Sequence, residues 1–362
     1  MAAGTRGGRV KTFRTGLVVG KFAPLHRGHQ LLLDHAARAC ERLVILSYSD
    51  PEFPGCGPAR RERWLKSLYP SAIVRVLDDV RLAAWCDATG VPRVGLPPND
   101  APDDVHRRFV GWLLQAMLNV EIDAVFTSEA YGDGFVQVLN ELRTGPAPIV
   151  HVEVDRARSQ VPVSGTSIRR DIHASRQFLH PSVYSDFVER VAILGGESTG
   201  KTTLARAIAQ RLATSWVPEY GRELWIAQEG RLEFPDMLRI ACEQVRREES
   251  ARATATRLVI CDTTPLTTML YSEAMFGRID SALVDLAGRS YDYTFLCEPD
   301  FDFVQDGTRR DEAFRARQQC WYVRELRRRE ISFQTLSGSP EARVEQVLRS
   351  VGPDVGAHRH EP

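Results

Sequence analysis

Residues 190–205 read RVAILGGESTGKTTLA, and this stretch decides the fold of the second half of the chain. The apolar run 190–194 predicts a buried strand, and the segment TLARAIAQRL at 203–212 predicts a helix. The loop that joins them has the spacing of a phosphate-binding P-loop, given by Gly195, Gly200, Lys201 and Thr202. In such a loop glycine lets the backbone N–H groups turn inwards, and the helix N-terminus adds positive potential. The stretch therefore predicts an α/β domain that binds a nucleoside triphosphate.

The residues of this loop are the candidate phosphate-binding residues of the second half. Lys201 has the position from which a P-loop lysine reaches the β- and γ-phosphates, and the Thr202 hydroxyl has the position that ligates Mg²⁺. The whole candidate set is Gly195, Gly196, Glu197, Ser198, Thr199, Gly200, Lys201, Thr202 and Thr203. We therefore expect ATP and Mg²⁺ to bind here.

Two further segments carry carboxylates that phosphoryl transfer needs. The run RLVICD at 257–262 predicts a strand that ends in Asp262, a second candidate ligand for Mg²⁺. In the run VPEYGREL at 217–224, Glu219 follows the expected second strand of this half of the chain, where an acceptor hydroxyl would lie. Glu219 and Asp262 are both candidates to assist that hydroxyl.

The segment DGTRRDEAFR at 306–315 groups three arginines late in the second half, namely Arg309, Arg310 and Arg315. Small-molecule kinases carry a mobile lid at this place, so we expect Arg309 and Arg310 to reach the transferring phosphate. A solvated helix face is the alternative interpretation of the same charges.

The first half of the chain shows its own alternation of apolar runs and helix-like segments. The runs at 16–20, 29–40 and 42–49 predict one β-α-β unit. Further strands are predicted at 72–77, 123–128 and 149–154. This alternation predicts a parallel sheet with helices on both faces.

The run GKFAPLHRGH at 20–29 places two histidines, His26 and His29, where the first strand ends. A zinc pair on a helix would prefer HxxxH spacing and a third ligand, and the sequence suggests no such cluster. A glycine-rich turn with Lys21 beside it better suits a phosphate group, and VSGTSIRRD at 163–171 adds Arg169 to the same chemistry. The remaining candidate nucleotide-binding residues here are Gly20, Phe22, Gly28, Ser164, Gly165 and Thr166.

The composition is that of an ordinary globular protein with room for two domains. The chain has 362 residues with 47 basic and 47 acidic side chains, so its charge gives no reason to expect nucleic-acid binding. It has neither an apolar run of 18 residues nor an apolar segment typical of a secretory signal at its start, so we expect no membrane partner. Seven cysteines without a CxxC pair indicate reduced thiols and a cytoplasmic location.

The pattern GxFxPxHxGH at 20–29, with SGTxIR at 164–169, resembles the nucleotidyltransferase superfamily of adenylyl- and cytidylyltransferases. Together with GGESTGKT, EYGREL, DTTPLTT and DGTRRDEAF in the second half, it makes the chain similar to the bifunctional NadR type. That family pairs a nicotinamide-mononucleotide adenylyltransferase with a ribosylnicotinamide kinase. The resemblance covers about residues 16–335. It implies a Rossmann-like nucleotidyltransferase domain followed by a P-loop kinase domain.

The resemblance also implies two reactions with ATP. In the first domain, the phosphate of nicotinamide mononucleotide attacks the α-phosphorus of ATP to give NAD and pyrophosphate. Lys21, His26, His29 and Arg169 would neutralise the developing charge there. In the second domain, the 5′-hydroxyl of ribosylnicotinamide attacks the γ-phosphorus. Lys201, Thr202, Mg²⁺ and the lid arginines would stabilise the transferring group, so that the second domain makes the substrate of the first.

The expected domain boundaries follow from the motifs. We predict a disordered arm at 1–15, the adenylyltransferase domain at 16–175 and a linker at 176–189. The kinase domain is predicted at 190–345 and a disordered tail at 346–362. Some family members begin with a helix-turn-helix domain that represses transcription, and a first strand at about residue 16 leaves no room for one, so no nucleic-acid partner is expected.

Two other interpretations remain open at this point. A coenzyme A synthase-like fusion also joins an adenylyltransferase to a P-loop kinase. A sensor of NAD or ATP would keep both folds with one half inactive. The sequence also leaves the oligomeric state open, including a homo-oligomer.

Overall fold

The apolar runs of the sequence form two five-stranded sheets in which every paired strand is parallel to its neighbour. The computed structural model describes residues 11–142, 147–305, 307 and 309–352. The chain divides into two compact units, the first ending at Val183 and the second beginning at Tyr184. Each unit contains one sheet, so the predicted α/β class with two parallel sheets is confirmed.

The sheet of the first unit has the strand order β3-β2-β1-β4-β5. Its strands are β1 (Phe13–Val19), β2 (Cys40–Tyr48), β3 (Ile73–Leu77), β4 (Ala124–Thr127) and β5 (Val150–Glu153). This order is that of a doubly wound sheet, in which ligands bind beyond the carboxyl ends of the strands, where the strand order reverses. Here the reversal falls at β1, so its carboxyl end is the expected ligand position.

The helices of the first unit connect and cover these strands. They are α1 (Arg27–Ala39), α2 (Pro58–Leu68), α3 (Asp79–Thr89), α4 (Asp103–Trp112), α5 (Gly132–Leu142), α6 (Gly165–Arg170) and, at the unit boundary, α7 (Pro181–Tyr184). One large cluster of buried apolar side chains, which includes Leu17, Val44 and Val125, forms the core against the sheet. The buried strands thereby fix the positions of the loops that follow them.

The sheet of the second unit has the order β10-β9-β6-β8-β7. Its strands are β6 (Glu189–Gly195), β7 (Trp216–Val217), β8 (Leu258–Asp262), β9 (Tyr293–Cys297) and β10 (Gln334–Leu336). Its helices are α8 (Lys201–Arg211), α9 (Tyr220–Ala227), α10 (Phe234–Arg252), α11 (Pro265–Phe276), α12 (Ser281–Ala287), α13 (Glu312–Arg328) and α14 (Pro340–Val351). Separate buried clusters on the two faces of this sheet hold the central strands β6, β8 and β9.

The structure corrects the predicted ends of both units. Strand β1 begins at Phe13 rather than at residue 16, because the Phe13 ring packs edge-on against Phe126 at 5.9 Å and extends the pairing with β2. The predicted tail from 346 is helical as far as Val351, because Val347 and Val351 lie one turn apart and are both buried. Residues 1–10 and 353–362, where the remaining disorder was predicted, lie outside the described residues.

The segment 176–189, where the sequence predicts a linker, consists mainly of short helical turns. They are 3-10 turns at Arg176–Phe178 and Ser185–Phe187 on either side of α7. Strand β6 starts at the last residue of the segment. No helix in the described ranges is both long and apolar enough to cross a membrane.

Candidate active sites

His26 and His29 lie at the start of α1, directly after the loop that leaves β1. His26 is the N-cap residue, and its Nδ1 atom accepts a hydrogen bond from the backbone N–H of His29 at 3.3 Å. In return, the Nδ1 atom of His29 accepts from the backbone N–H of His26 at 3.4 Å. The two rings stack with their centroids 3.6 Å apart. The two imidazoles therefore form the reciprocal arrangement that a serine and a glutamate form in an ordinary capping box.

This capping arrangement determines where the imidazole protons are. A neutral imidazole has one N–H donor and one acceptor, and both Nδ1 atoms are occupied as acceptors. The Nε2 atoms therefore carry the protons. Burial lowers the pKa of His26 to about 4 and the pKa of His29 well below its ordinary value, with Arg158 and Arg169 adding to both effects. Without a bound ligand both rings are therefore neutral at pH 7, and each can donate a hydrogen bond to a phosphate.

The second phosphate-binding segment of the sequence lies against this pair. Ser164 caps α6 by accepting from the backbone N–H of Ser167 at 3.1 Å. A Cβ atom on Gly165 would lie 3.0 Å from Arg169 Nη1 and 3.9 Å from His26 Nε2. Gly165 therefore faces both a guanidinium and an imidazole N–H, and its lack of a side chain leaves space beside them. Residues 26 and 165, far apart in sequence, are brought together as predicted.

The remaining predicted residues of the first half surround a cavity of about 450 Å³, which we call the first cavity. Its lining includes Gly20, Lys21, Phe22, His29, Ser164, Gly165, Thr166 and Arg169. Arg169 is fixed by hydrogen bonds to the Ala23 carbonyl at 2.7 Å and to Thr166 Oγ1 at 3.2 Å. A Cβ on Gly28 would lie 3.1 Å from the His26 ring, so glycine makes room for the capping imidazole. Lys21 and Arg169 are the cations of this cavity that the sequence singled out.

The P-loop of the second unit joins the end of β6 to the start of α8, as predicted. Gly195 and Gly200 have φ values of +145° and +77°, which favour glycine over residues with a side chain. Lys201 Nζ donates to the Gly196 carbonyl at 2.7 Å, and Thr199 Oγ1 donates to the same oxygen at 2.8 Å. The lysine therefore lies along the loop that would cradle a phosphate. Thr203, the third residue of α8, is exposed.

The side chains of Thr202, next to the P-loop lysine, and Asp262, at the end of β8, contact each other. The Thr202 hydroxyl donates to Asp262 Oδ2 at 2.6 Å. No group in the described part of the chain hydrogen-bonds the buried Oδ1 atom of Asp262. Burial raises the pKa of this carboxyl, while Thr202 and Lys201 oppose the shift. A hydroxyl beside a buried carboxylate oxygen is the donor set that Mg²⁺ takes next to nucleotide phosphates.

Glu219 occupies the N-cap position of α9 and lines a second cavity of about 360 Å³. Burial raises the pKa of Glu219, and the nearby Asp262 carboxylate raises it further. Arg222 lies 3.7 Å from it and opposes that shift. The second cavity also has apolar walls from Trp225, Leu232, Met237, Ile240 and Met275. This cavity therefore combines an apolar compartment with a carboxylate suited to accept a proton.

The predicted lid arginines fall into two groups. Arg309 and Arg310 both line the second cavity, and Arg309 Nη1 lies 3.2 Å from Ser198 Oγ of the P-loop. Arg315 is buried and donates to the Phe301 carbonyl at 2.7 Å, so it supports the structure rather than facing the cavity. Asp306 and Thr308 of the same segment lie outside the described residues.

Glu197 has contacts that sequence reasoning missed. Its carboxylate accepts from the Tyr271 hydroxyl at 2.9 Å and from the backbone N–H of Arg310 at 2.8 Å, and its own N–H donates to Gln318 at 2.7 Å. It thus joins the P-loop to the lid segment and to a wall of the second cavity. The only sequence signal was a glutamate at a variable position of the loop, which carries no such information.

Four tryptophans, namely Trp64, Trp85, Trp112 and Trp225, differ in their environment. Trp64 is 1% exposed and belongs to the interior. Trp85 and Trp112 pack against each other edge-on and against the core of the first unit. Trp225 alone among these four lines a described cavity next to a predicted catalytic residue. The four tryptophans differ in their burial, which their spacing in the sequence does not reveal.

Comparisons with known proteins agree with this geometry. The AAA domain family matches residues 190–343. The trifunctional NAD biosynthesis/regulator proteins NadR of Escherichia coli and of Salmonella typhimurium are each 28% identical over 313 residues, which is 81% of this chain and 71% of each relative. A crystal structure of NadR with NR has a TM-score of 0.65 at 19% identity and covers 95% of this chain and 98% of that one. A NadR structure with NAD and AMP-PNP has a TM-score of 0.68 at 17% identity and covers 97% and 100%. By sequence over four-fifths of its length and by fold over nearly all of it, the chain is a homologue of NadR.

Proposed function

We propose that this chain is a bifunctional enzyme of NAD biosynthesis. The second unit phosphorylates ribosylnicotinamide with ATP to nicotinamide mononucleotide, and the first unit transfers the adenylyl group of ATP to that product to form NAD. The observation that carries the proposal is that each unit has phosphate-binding groups beside its own cavity. Lys21, His29 and Arg169 line the first cavity. Arg309 lines the second cavity and lies 3.2 Å from Ser198 of the P-loop. The relatives named for NAD biosynthesis, and the solved relatives bound to NR, NAD and AMP-PNP, support the same substrates.

In the first unit, the chemistry is the alignment of two anions. A phosphate oxygen of nicotinamide mononucleotide attacks the α-phosphorus of ATP, and the bond from that phosphorus to the β-phosphate oxygen breaks to release pyrophosphate. The Nε2–H groups of His26 and His29 donate hydrogen bonds to the reacting phosphate, and Lys21 and Arg169 supply positive charge. His29, Lys21 and Arg169 line the first cavity, and His26 lies beside Gly165 of the same lining.

In the second unit, the 5′-hydroxyl of ribosylnicotinamide attacks the γ-phosphorus and ADP leaves. Glu219 accepts the hydroxyl proton, since it lines the second cavity and its pKa is raised. Thr202 and Asp262 would hold Mg²⁺, which neutralises charge on the phosphates when bound. Asp262 is thereby committed to the metal, which leaves Glu219 as the base. Trp225 offers a face to the cationic pyridinium ring.

Ligand-induced stabilisation tests the substrate assignment. Ribosylnicotinamide at about 100 times its dissociation constant should raise the free energy of unfolding by roughly 2.7 kcal/mol. Dephospho-coenzyme A at the same concentration should leave the melting temperature unchanged. Stabilisation by dephospho-coenzyme A alone would favour a coenzyme A synthase-like enzyme. Stabilisation by NAD or ATP without turnover of either substrate would favour a sensor.

A further inference from the structure

The loop 49–57 lies beside the first cavity, and the chemistry above assigns it no task. Its Phe53 ring contacts two of the cationic side chains that line that cavity, Lys21 and Arg169. The guanidinium carbon of Arg169 lies 4.2 Å from the ring centroid, and Lys21 Nζ lies 5.8 Å from it. Both distances fall within about 6 Å, the range of a cation–π interaction. Lys21 and Arg169 line the first cavity, whereas Phe53 is not among the described residues that line it.

A buried arginine fixes this loop to the chain segment that carries Lys21. Arg61 is fully buried, and its Nη1 donates to the Lys21 carbonyl at 3.1 Å and to Ser47 Oγ at 2.8 Å. Its Nη2 pairs with the carboxylate of Glu52, the neighbour of Phe53. One guanidinium therefore sets the position of the Lys21 backbone and of the residue before Phe53.

Asn99 anchors the start of the loop in the same way. Its Nδ2 donates to the Pro51 carbonyl at 2.7 Å, and its Oδ1 accepts from Ser49 Oγ at 3.2 Å. The Asn99 carbonyl accepts from Lys21 Nζ at 3.4 Å. The loop, Asn99 and the Lys21 side chain thus form one connected network.

Two cations that share a cavity wall repel each other until an anion binds. Burial lowers the pKa of Lys21, and the charge of Arg169 lowers it further. A carboxylate between them would hold both side chains but would also repel the phosphates of a substrate. An aromatic face attracts both cations without a net negative charge. The aromatic ring of Phe53 can therefore fix the positions of the Lys21 and Arg169 side chains before a polyphosphate binds.

We propose that Phe53 is a positioning residue for the adenylyl-transfer site, which orients Arg169, and with it Lys21, towards the triphosphate of ATP. This inference rests on the adenylyl transfer proposed above. The contact at 4.2 Å makes Arg169 the main partner, and the longer contact makes Lys21 the weaker one.

Substitutions at Phe53 distinguish the effect of its aromatic face from the effect of its side-chain volume. Phe53→Leu keeps an apolar side chain and removes the π face, so kcat/KM for adenylyl transfer should fall about tenfold with an unchanged melting temperature. Phe53→Tyr keeps the face and should stay within about threefold of the unsubstituted chain. In an Arg169→Ala background, Phe53→Leu should have less than about a twofold further effect, because the partner is gone.

Titration with inorganic pyrophosphate provides a readout that does not depend on turnover. Phe53→Leu should weaken pyrophosphate binding, and Phe53→Tyr should restore it. Equal losses from Phe53→Leu in both backgrounds, or equal activity and binding of the Leu variant and the unsubstituted chain, would overturn the role of Phe53. An unsubstituted chain that binds pyrophosphate in a Phe53-dependent way but forms no NAD would contradict the proposed function alone. An unsubstituted chain that neither binds pyrophosphate nor forms NAD would contradict both.

Discussion

His26 and His29 use the same ring nitrogen to cap α1, and the His29 ring also has a hydrogen bond to the backbone of Pro24. The sequence predicted a phosphate site from glycine, lysine and histidine beside the end of a strand. It did not predict that the imidazoles are neutral, because spacing does not reveal that each Nδ1 accepts a backbone N–H or how far burial lowers each pKa. That the two imidazoles donate hydrogen bonds to a phosphate and help to neutralise its developing charge stays a prediction.

The lowered pKa of His26 predicts a loss of stability in mild acid. In the unfolded chain this histidine binds a proton near pH 6.5, whereas in the folded chain it does so only near pH 4. As the pH falls from 6.5 to 4, the unfolded state binds the proton first, so the free energy of unfolding should fall by roughly 3 kcal/mol from His26. His29 should add to this fall in the same direction.

His26→Asn tests this linkage, since asparagine also caps helices but does not titrate in this range. Urea denaturation at a series of pH values should show a flatter dependence between pH 6.5 and 4 for this variant. His35→Asn, at an exposed position on the same helix, is the matched control and should behave like the unsubstituted chain. Identical pH dependence of the unsubstituted chain and the His26 variant would contradict the neutral, buried state of the ring.

At the scale of elements, the sequence predicted the strands better than the ends of the units. All the runs predicted to be strands overlap strands of the structure, because alternating and continuous apolar patterns reflect burial directly. The sequence predicted a tail in place of the last turns of α14, because in these turns only Val347 and Val351 are buried apolar residues. The contacts of Glu197 with Arg310 and of Phe53 with Arg169 join residues that are more than 100 positions apart, so local sequence patterns do not reveal them.

The lid segment offers a prediction at this scale. Arg309 lies beside Ser198 of the P-loop, whereas the guanidinium of Arg310 lies over the Phe314 ring at 4.5 Å. Because Arg309 lines the second cavity beside the P-loop, Arg309→Ala should lower kinase turnover about a hundredfold and weaken ATP binding only slightly.

Steady-state kinetics and ATP titration of the same samples measure the two effects. Arg317→Ala is the matched control, because Arg317 also lies near the Phe314 ring, at 5.6 Å, but is not among the described residues lining the second cavity. Equal turnover of the two variants would identify the segment 309–315 as a static surface helix rather than a lid.

At the scale of the whole molecule, each unit has its own sheet, its own cavity and its own phosphate-binding loop. The donor sets differ in kind: imidazoles with lysine and arginine side chains in the first unit, and a P-loop lysine with a buried carboxylate in the second. Two independent reactions are therefore the central proposal, in which the product of the second unit is the substrate of the first.

Separate assays of both reactions on single-site variants test that claim most directly. Lys201→Ala should abolish ribosylnicotinamide phosphorylation and leave adenylyl transfer within about twofold. His29→Ala should lower adenylyl transfer about a hundredfold, the usual cost of one lost donor to a reacting phosphate, and leave the kinase reaction unchanged. Loss of both activities in either folded variant, or an unsubstituted chain that performs only one of the two reactions, would contradict it.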